Sequence, residues 1–342
     1  MPQNASSTPG VLIVGAGAMG LTSGYHLQLA GTEVTFLVRP QRAESLARPQ
    51  VLYSYDDASL KRFSGYRVLS DVGDAGDRAY DYVIVTLDGA SSRSAEGTAL
   101  LNGLGDAIRD TDAVVIVGGI GLDLRLHCLD ALDIGEERVI SGWLGLLAHQ
   151  VASADLPVHP PTDPHVLARA DMAYRTLSAG GFMVEDRFPG VAARFKALYD
   201  GCGVSRCDIV DHDHFPAQVA GLFPVFQACH LMGWPPAARL TDHEETWRLA
   251  VDAVREVVSV HGDSRTEAVS GKNLTRMLVA FEKESLPLDW NGFNAFHHGA
   301  KVARQDLKLL RDYVAAGERQ GKHMVALREL VAAATAFHRQ NA

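Results

Sequence analysis

Two hydrophobic textures divide this chain. In the first two thirds, short β-branched runs alternate with helical spacing; beyond about Asp211 the runs give way to long stretches with apolar residues every three to four positions. The first run, residues 11–14 (VLIV), enters a glycine cluster and then a helical pattern over Met19–Ala30 that Gly31 stops. Residues 33–38 (EVTFLV) read as the next strand. Strand, helix and strand within about thirty residues form the βαβ unit of a parallel crossover. The alternation continues through predicted strands at 82–87 (YVIVTL), 113–117 (AVVIV) and 138–143 (RVISGW), with helices over Ala95–Arg109 and Leu122–Leu132 between them. Mixed short runs between the second strand and Tyr82 (VLYSYDD, GYRVLSD) predict added hairpin material, and a second hairpin is expected between Thr176 and Glu185.

Helices are predicted over Phe215–Met232, His243–His261, Arg265–Glu284, His297–Gln320 and His323–Arg339, with Pro235-Pro236, Gly262 and Pro287 marking breaks. The expected fold class is an α/β Rossmann-type domain with a mostly parallel sheet, followed by an all-α helical domain. The boundaries read as a disordered tail at 1–10, the Rossmann domain at 11–210 and the helical domain at 211–342.

Composition narrows the function. At 342 residues the chain has room for two domains, and 47% hydrophobic with 21% charged residues is ordinary globular usage. A formal net charge of −9 without a basic cluster argues against a nucleic-acid partner. No apolar run approaches the length of a membrane span, and the polar start MPQNASSTPG lacks the pattern of a signal peptide. Cys128, Cys202, Cys207 and Cys229 form neither a Cys-x-x-Cys pair nor zinc spacing. They read as reduced thiols of a cytoplasmic protein, with a small-molecule substrate as partner and a homodimer as candidate assembly.

The chemistry begins at Gly15-Ala16-Gly17-Ala18-Met19-Gly20. Gly15 permits the tight turn after the strand, Gly17 lets a pyrophosphate approach the backbone, and Gly20 lets helix and strand pack closely. The helix N-terminus then presents free N–H groups to phosphate. The end of the second strand selects the cofactor. An acid there would hold the ribose hydroxyls of NAD, whereas this chain has Arg39, with Arg42 close behind, suited to the 2′-phosphate of NADP(H). Leu87 and Gly119, at the ends of later strands, complete the expected cofactor-binding set.

With these motifs the sequence resembles the ketopantoate reductase family. The resemblance rests on VLIVGAGAMG, EVTFLVRPQR, YVIVTL, VVIVGGIG followed by RVISG, and the helical second half, and it spans nearly the whole chain. It implies a Rossmann domain joined to a helical domain, reducing a 2-oxo acid with NADPH held in the cleft between them, and Arg39 in the place of the arginine that holds the 2′-phosphate. Several positions depart. Asp88 stands where a lysine follows the strand 82–87, and Val117-Gly118-Gly119 replaces Gln-Asn-Gly. Gln218 and Leu222 stand where the family has its lysine proton donor and an asparagine, and no lysine lies between Lys196 and Lys272. Gln305 or Asp306 stands at the late glutamate that helps hold substrate.

Carbonyl reduction needs a proton for the developing alkoxide, which Gln218 cannot supply at useful acidity. The stretch 291–301 (NGFNAFHHGAK) is dense in replacements: Asn294, His297, His298 and Lys301. In a continuous helix His297, Lys301 and Gln305 would share one face, with His298 beside them, able to bind a carboxylate and donate a proton. In the extended segment Asp211-His212-Asp213-His214 the acids face away from the histidines, so no metal site is expected. The leading expectation is an NADPH-dependent reductase of a small 2-oxo acid or related carbonyl. An opine- or imine-type reductase acting on C=N, and a non-redox nucleotide-binding sensor or scaffold, are the alternatives.

Overall fold

A computed structural model describes residues 8–178, 180–262, 266 and 268–340. The chain divides into two compact units. The first comprises residues 1–153 and 163–211, the second residues 154–162 and 212–342.

In the first unit the strands are β1 (Gly10–Val14), β2 (Glu33–Leu37), β3 (Gln50–Ser54), β4 (Ser59–Phe63), β5 (Arg67–Leu69), β6 (Tyr82–Val85), β7 (Val114–Val117), β8 (Val139–Trp143), β9 (Leu147–Gln150), β10 (Met172–Arg175), β11 (Phe182–Glu185) and β12 (Cys207–Val210). Its helices are α1 (Ala18–Leu29), α2 (Pro40–Leu46), α3 (Gly89–Ser92), α4 (Ala95–Ile108), α5 (Leu124–Leu132), α6 (Pro164–Leu167) and α7 (Pro189–Asp200). Eight strands form the main sheet in the order β12-β11-β8-β7-β6-β1-β2-β5. All neighbours are parallel except β8 and β11. The β-branched runs are buried on both faces, as parallel strands under helices must be. Val11 and Ile13 of β1 join the core that holds Leu21 and Phe36, while Leu12 and Val14 join the opposite core with Leu101 and Leu104. Strand order reverses between β1 and β6, the switch point outside whose carboxyl ends ligands bind in open α/β sheets.

The material between β2 and β6 is a hairpin, β3–β4, followed by β5 on the sheet edge. That hairpin extends into a second sheet, β4-β3-β10-β9. The hairpin expected between Thr176 and Glu185 does not form. β10 pairs with β3 and β9, and β11 pairs with β8 and β12, so the two strands enter different sheets. Residues 1–7 of the expected tail lie outside the described residues, whereas Gly10 already belongs to β1, paired with Glu33.

The second unit holds α8 (Phe215–Ala220), α9 (Leu222–Leu231), α10 (Glu244–Ser259), α11 (Gly271–Ser285), α12 (Trp290–Phe296), α13 (Ala303–Arg319) and α14 (Val325–Gln340). The helix expected over Phe215–Met232 breaks at Gly221. Pro224 has no N–H for the Ala220 carbonyl, and its ring would crowd that oxygen in a straight helix. Helix α10 buries Trp247, Ala250, Val251, Val254, Val257 and Val258, an apolar stripe of helical period that packs on α9 and α14. Arg265, the expected start of the next helix, lies outside the described residues; α11 runs from Gly271, capped by Ser270. Residues 154–162 join this unit through the Val158–Leu288 bridge and a hydrogen bond from the His159 N–H to the Pro287 carbonyl (2.8 Å). Among the described residues no helix is long and apolar enough to cross a membrane.

The helix expected over His297–Gln320 is interrupted. Residues 290–296 form α12, capped by Asp289, and His297–Lys301 form one π turn in which the Val302 N–H reaches the His297 carbonyl (2.9 Å). The turn interrupts the continuous helix on which the shared face of His297, Lys301 and Gln305 is expected.

Candidate nucleotide loop and histidine–aspartate pair

In the first unit the loop from β1 to α1 is set by three glycines in different ways. Gly15 has φ +105°, a conformation that L side chains rarely adopt, and its N–H donates to the Leu37 carbonyl (2.9 Å), tying the loop to β2. A Cβ on Gly20 would collide with the Gly15 carbonyl oxygen, so the close approach of helix to strand needs glycine there. At Gly17 a Cβ would meet nothing within 4 Å, which leaves open space at the helix N-terminus. Gly17 caps α1 without a side chain, and the first intrahelical bond is Leu21 N–H to Gly17 carbonyl (2.9 Å). The N–H groups of Ala18, Met19 and Gly20 therefore precede the helical ladder, and the first turn carries no acid. These donors and the helix dipole favour an anion.

Helix α2 starts at the end of β2, with Arg39 as its N-cap residue and Pro40 in its first turn. The Arg39 side chain is exposed and makes no ion pair among the described residues. Arg42 is placed differently. Its Nε and Nη2 both donate to the Ala16 carbonyl (3.1 and 2.9 Å), and Nη1 donates to Ser45 Oγ (3.0 Å). Arg42 thus braces the glycine loop from α2, a contact set by long-range packing rather than by its spacing from Arg39. Leu87 and Gly119 meet at the carboxyl ends of β6 and β7, where a Cβ on Gly119 would strike the Leu87 carbonyl. Asp88, at the lysine position of the resemblance, caps α3 by accepting from the Ser91 N–H (2.8 Å) and hydroxyl (2.8 Å).

The titratable cluster lies in the second unit. His298 Nδ1 is 2.8 Å from Asp306 Oδ2. Its ring stacks on Phe226 of α9 with centroids 3.9 Å apart and planes 15° from parallel, and meets Phe223 edge-on. Both side chains are nearly out of water, 13% exposed for His298 and 2% for Asp306. Burial lowers the His298 imidazole and raises the Asp306 carboxyl from their ordinary values, so the uncharged form of each is favoured. His297 stacks on Phe293 (5.7 Å), and burial, with His298 and Lys301 nearby, lowers its pKa to about 3. Lys301 is exposed, its ammonium drawn below the usual lysine value by partial desolvation. Asn294 is only 1% exposed and its Nδ2 donates to the Trp290 carbonyl (2.8 Å), so its amide serves its own helix. Gln218 is exposed on α8.

Of the five expected catalytic residues, the structure ties His298 to a buried acid, sets His297 edge-on beside it and turns Asn294 into the core. Asp306 is the partner that spacing alone did not select. Its signal was present in the sequence, since it falls on the apolar stripe of α13 with Ala303, Leu307 and Leu310. Among the described residues no group of three potential ligands could hold a metal ion.

The family model described as ketopantoate reductase PanE/ApbA matches residues 11–117, which bears out the resemblance read from the sequence. A 2-dehydropantoate 2-reductase from Geobacter metallireducens GS-15 superposes with a TM-score of 0.67 at 17% identity, covering 95% of this chain and 99% of that one. The PanE/ApbA family ketopantoate reductase from Ralstonia eutropha JMP134 gives 0.64 at 17% identity, over 97% and 99% of the two chains. D-mandelate dehydrogenase, in a ternary structure with NADH and anilino(oxo)acetate, gives 0.65 at 12% identity over 96% and 97%. At these identities the likeness is one of fold, a Rossmann-type unit followed by helices. No curated protein matches the chain in sequence.

Proposed function

We propose that this divergent relative of the ketopantoate reductases is an NADPH-dependent oxidoreductase that reduces a small 2-oxo acid or related carbonyl. One observation carries the reading. The open space at Gly17 faces the free N–H groups that begin α1, with Arg39 at the end of the neighbouring β2. These residues fit a dinucleotide. The amides of Ala18, Met19 and Gly20 would hold the pyrophosphate, and Arg39 would take the 2′-phosphate with paired hydrogen bonds. Arg42 would hold the loop in place through Ala16, and Leu87 and Gly119 would border the nicotinamide end. The bound nucleotide supplies the hydride. The chain must then orient an acid substrate and provide a proton, for which His298 and Lys301 are the available groups in the second unit.

The absence of a lysine between Lys196 and Lys272 favours a second reading, reduction of C=N, because an iminium arrives already protonated. A panel of 2-oxo acids, each with and without a primary amine, distinguishes the two when NADPH oxidation is followed by absorbance. The carbonyl reading expects turnover without amine. Turnover only with amine would replace it, and no NADPH oxidation under either condition would contradict both readings.

A further inference from the structure

We propose that Thr86 is a positioning residue for the nucleotide, its hydroxyl fixing the last carbonyl of β1 so that the glycine loop is shaped for phosphate before a ligand arrives. The proposal rests on the nucleotide-binding reading above and lies wholly within the first unit.

Thr86 follows β6, the strand beside β1 at the reversal of strand order. Its N–H donates to the Val14 carbonyl (3.0 Å), which carries the β1–β6 ladder one step past the last paired residues, Val14 and Val85. Its hydroxyl donates to the same oxygen (2.8 Å). The first bond needs only a backbone, so any residue but proline could make it. The second belongs to the side chain. The hydroxyl oxygen also lies against Gly15, where an added Cβ would collide with it. One hydroxyl thus sets both the end of β1 and the turn that Gly15 makes at φ +105°.

The rest of the loop shows what that anchor serves. Gly15 N–H donates to the Leu37 carbonyl of β2 (2.9 Å), so the loop is tied to both strands that flank β1. The Gly15 carbonyl packs against Gly20, the Ala16 carbonyl accepts twice from Arg42, and the Gly17 carbonyl accepts from the Leu21 N–H. Each carbonyl from Val14 to Gly17 therefore has a place inside the protein, while the N–H groups of Ala18, Met19 and Gly20 precede the helical ladder.

A pyrophosphate needs donors and is repelled by carbonyl oxygens. A peptide free to rotate between Val14 and Gly17 could turn an oxygen toward the phosphate, and binding would then carry the cost of ordering it. Thr86 holds the start of this segment and Arg42 its middle, each by occupying a carbonyl of the loop. They differ in reach, since Arg42 comes from α2 beside Arg39, whereas Thr86 comes from β6 on the other side of β1. Loss of the Thr86 hydroxyl should therefore weaken every ligand that uses the loop, whatever its 2′ substituent.

Calorimetric titration with NADPH and with NADH on wild type, Thr86→Ala and Thr86→Ser tests this. Each titration is run well below the variant's own unfolding transition, where the sample is fully folded and global stability does not enter the affinity. T86A removes the hydroxyl without adding bulk against Gly15, and T86S keeps the hydroxyl. The expected result is that T86A weakens both nucleotides by one common factor of about threefold to tenfold, the worth of one hydrogen bond. The ratio of NADPH to NADH affinity stays as in wild type, and T86S binds as wild type does. Thr86→Val, which keeps the β-branched shape, gives the same reading if T86A fails to fold. Wild-type affinity in the variant without the hydroxyl would overturn the proposal, as would a loss confined to NADPH. A T86S as weak as T86A would assign the effect to the lost methyl and overturn it too. A wild type that binds neither nucleotide removes the nucleotide reading itself, a result seen before any variant is made.

Discussion

Gly17→Ala is expected to fold with wild-type stability and to lose most of its affinity for NADPH. The added methyl meets no protein atom within 4 Å, and Gly17 has an ordinary φ of −72°, so the substitution neither collides nor strains the backbone. The space it fills is the one a phosphate must enter to reach the N–H groups of α1. An intrusion of that kind costs about 1–3 kcal/mol, roughly a fivefold to hundredfold weakening. Gly20→Ala is the contrast. Its methyl would strike the Gly15 carbonyl, pushing helix from strand, so both stability and binding fall. Thermal unfolding and nicotinamide fluorescence on the two variants check this. Equal NADPH affinity in G17A and wild type would mean that the loop is a structural turn.

The second large effect is acid sensitivity that begins just below neutrality. His26 is fully buried on α1, with Nδ1 2.9 Å from the Tyr199 hydroxyl and Nε2 without a partner. Burial lowers its pKa from 6.5 to about 4. Below pH 6.5 the unfolded chain therefore binds a proton that the folded chain refuses. The stability this gives is fully present above 6.5 and is lost progressively as pH falls towards 4, by about 3 kcal/mol for His26. His297, lowered to about 3, acts in the same direction. Urea unfolding at pH 7 and pH 4.5 should show a large loss in wild type and a smaller one in His26→Gln. Identical losses would exclude His26 as the source.

Much of the first unit was legible because its signals are local. The β-branched runs at 11–14, 82–85 and 114–117 became adjacent parallel strands, and the glycine spacing sat at the strand-to-helix turn where its logic requires it. What local patterns could not show is long-range pairing. β10 lies beside β3, some 120 residues earlier, so the apolar run before Glu185 looked like a hairpin with its nearest neighbour in sequence. The candidate site divides in the same way. Arg42 looked like a phosphate ligand because it follows Arg39 closely; its hold on the Ala16 carbonyl depends on how α2 lies against the loop. His298 was singled out by residue type, but the π turn that hands it to Asp306 has no marker at 3.6-residue spacing. An acid on the buried stripe of α13 was the clue, and it is one that only burial makes decisive.

Titration of the protein with NADPH and NADH, on wild type and Arg39→Ala, decides whether the glycine loop and Arg39 bind NADPH. Wild type should bind NADPH more tightly than NADH, and R39A should lose that preference while its NADH affinity stays unchanged. Arg42→Ala, measured alongside, should weaken both nucleotides by similar factors, because it acts on the loop. No binding of either nucleotide to wild type, or an undiminished preference for NADPH in R39A, would rule out this site.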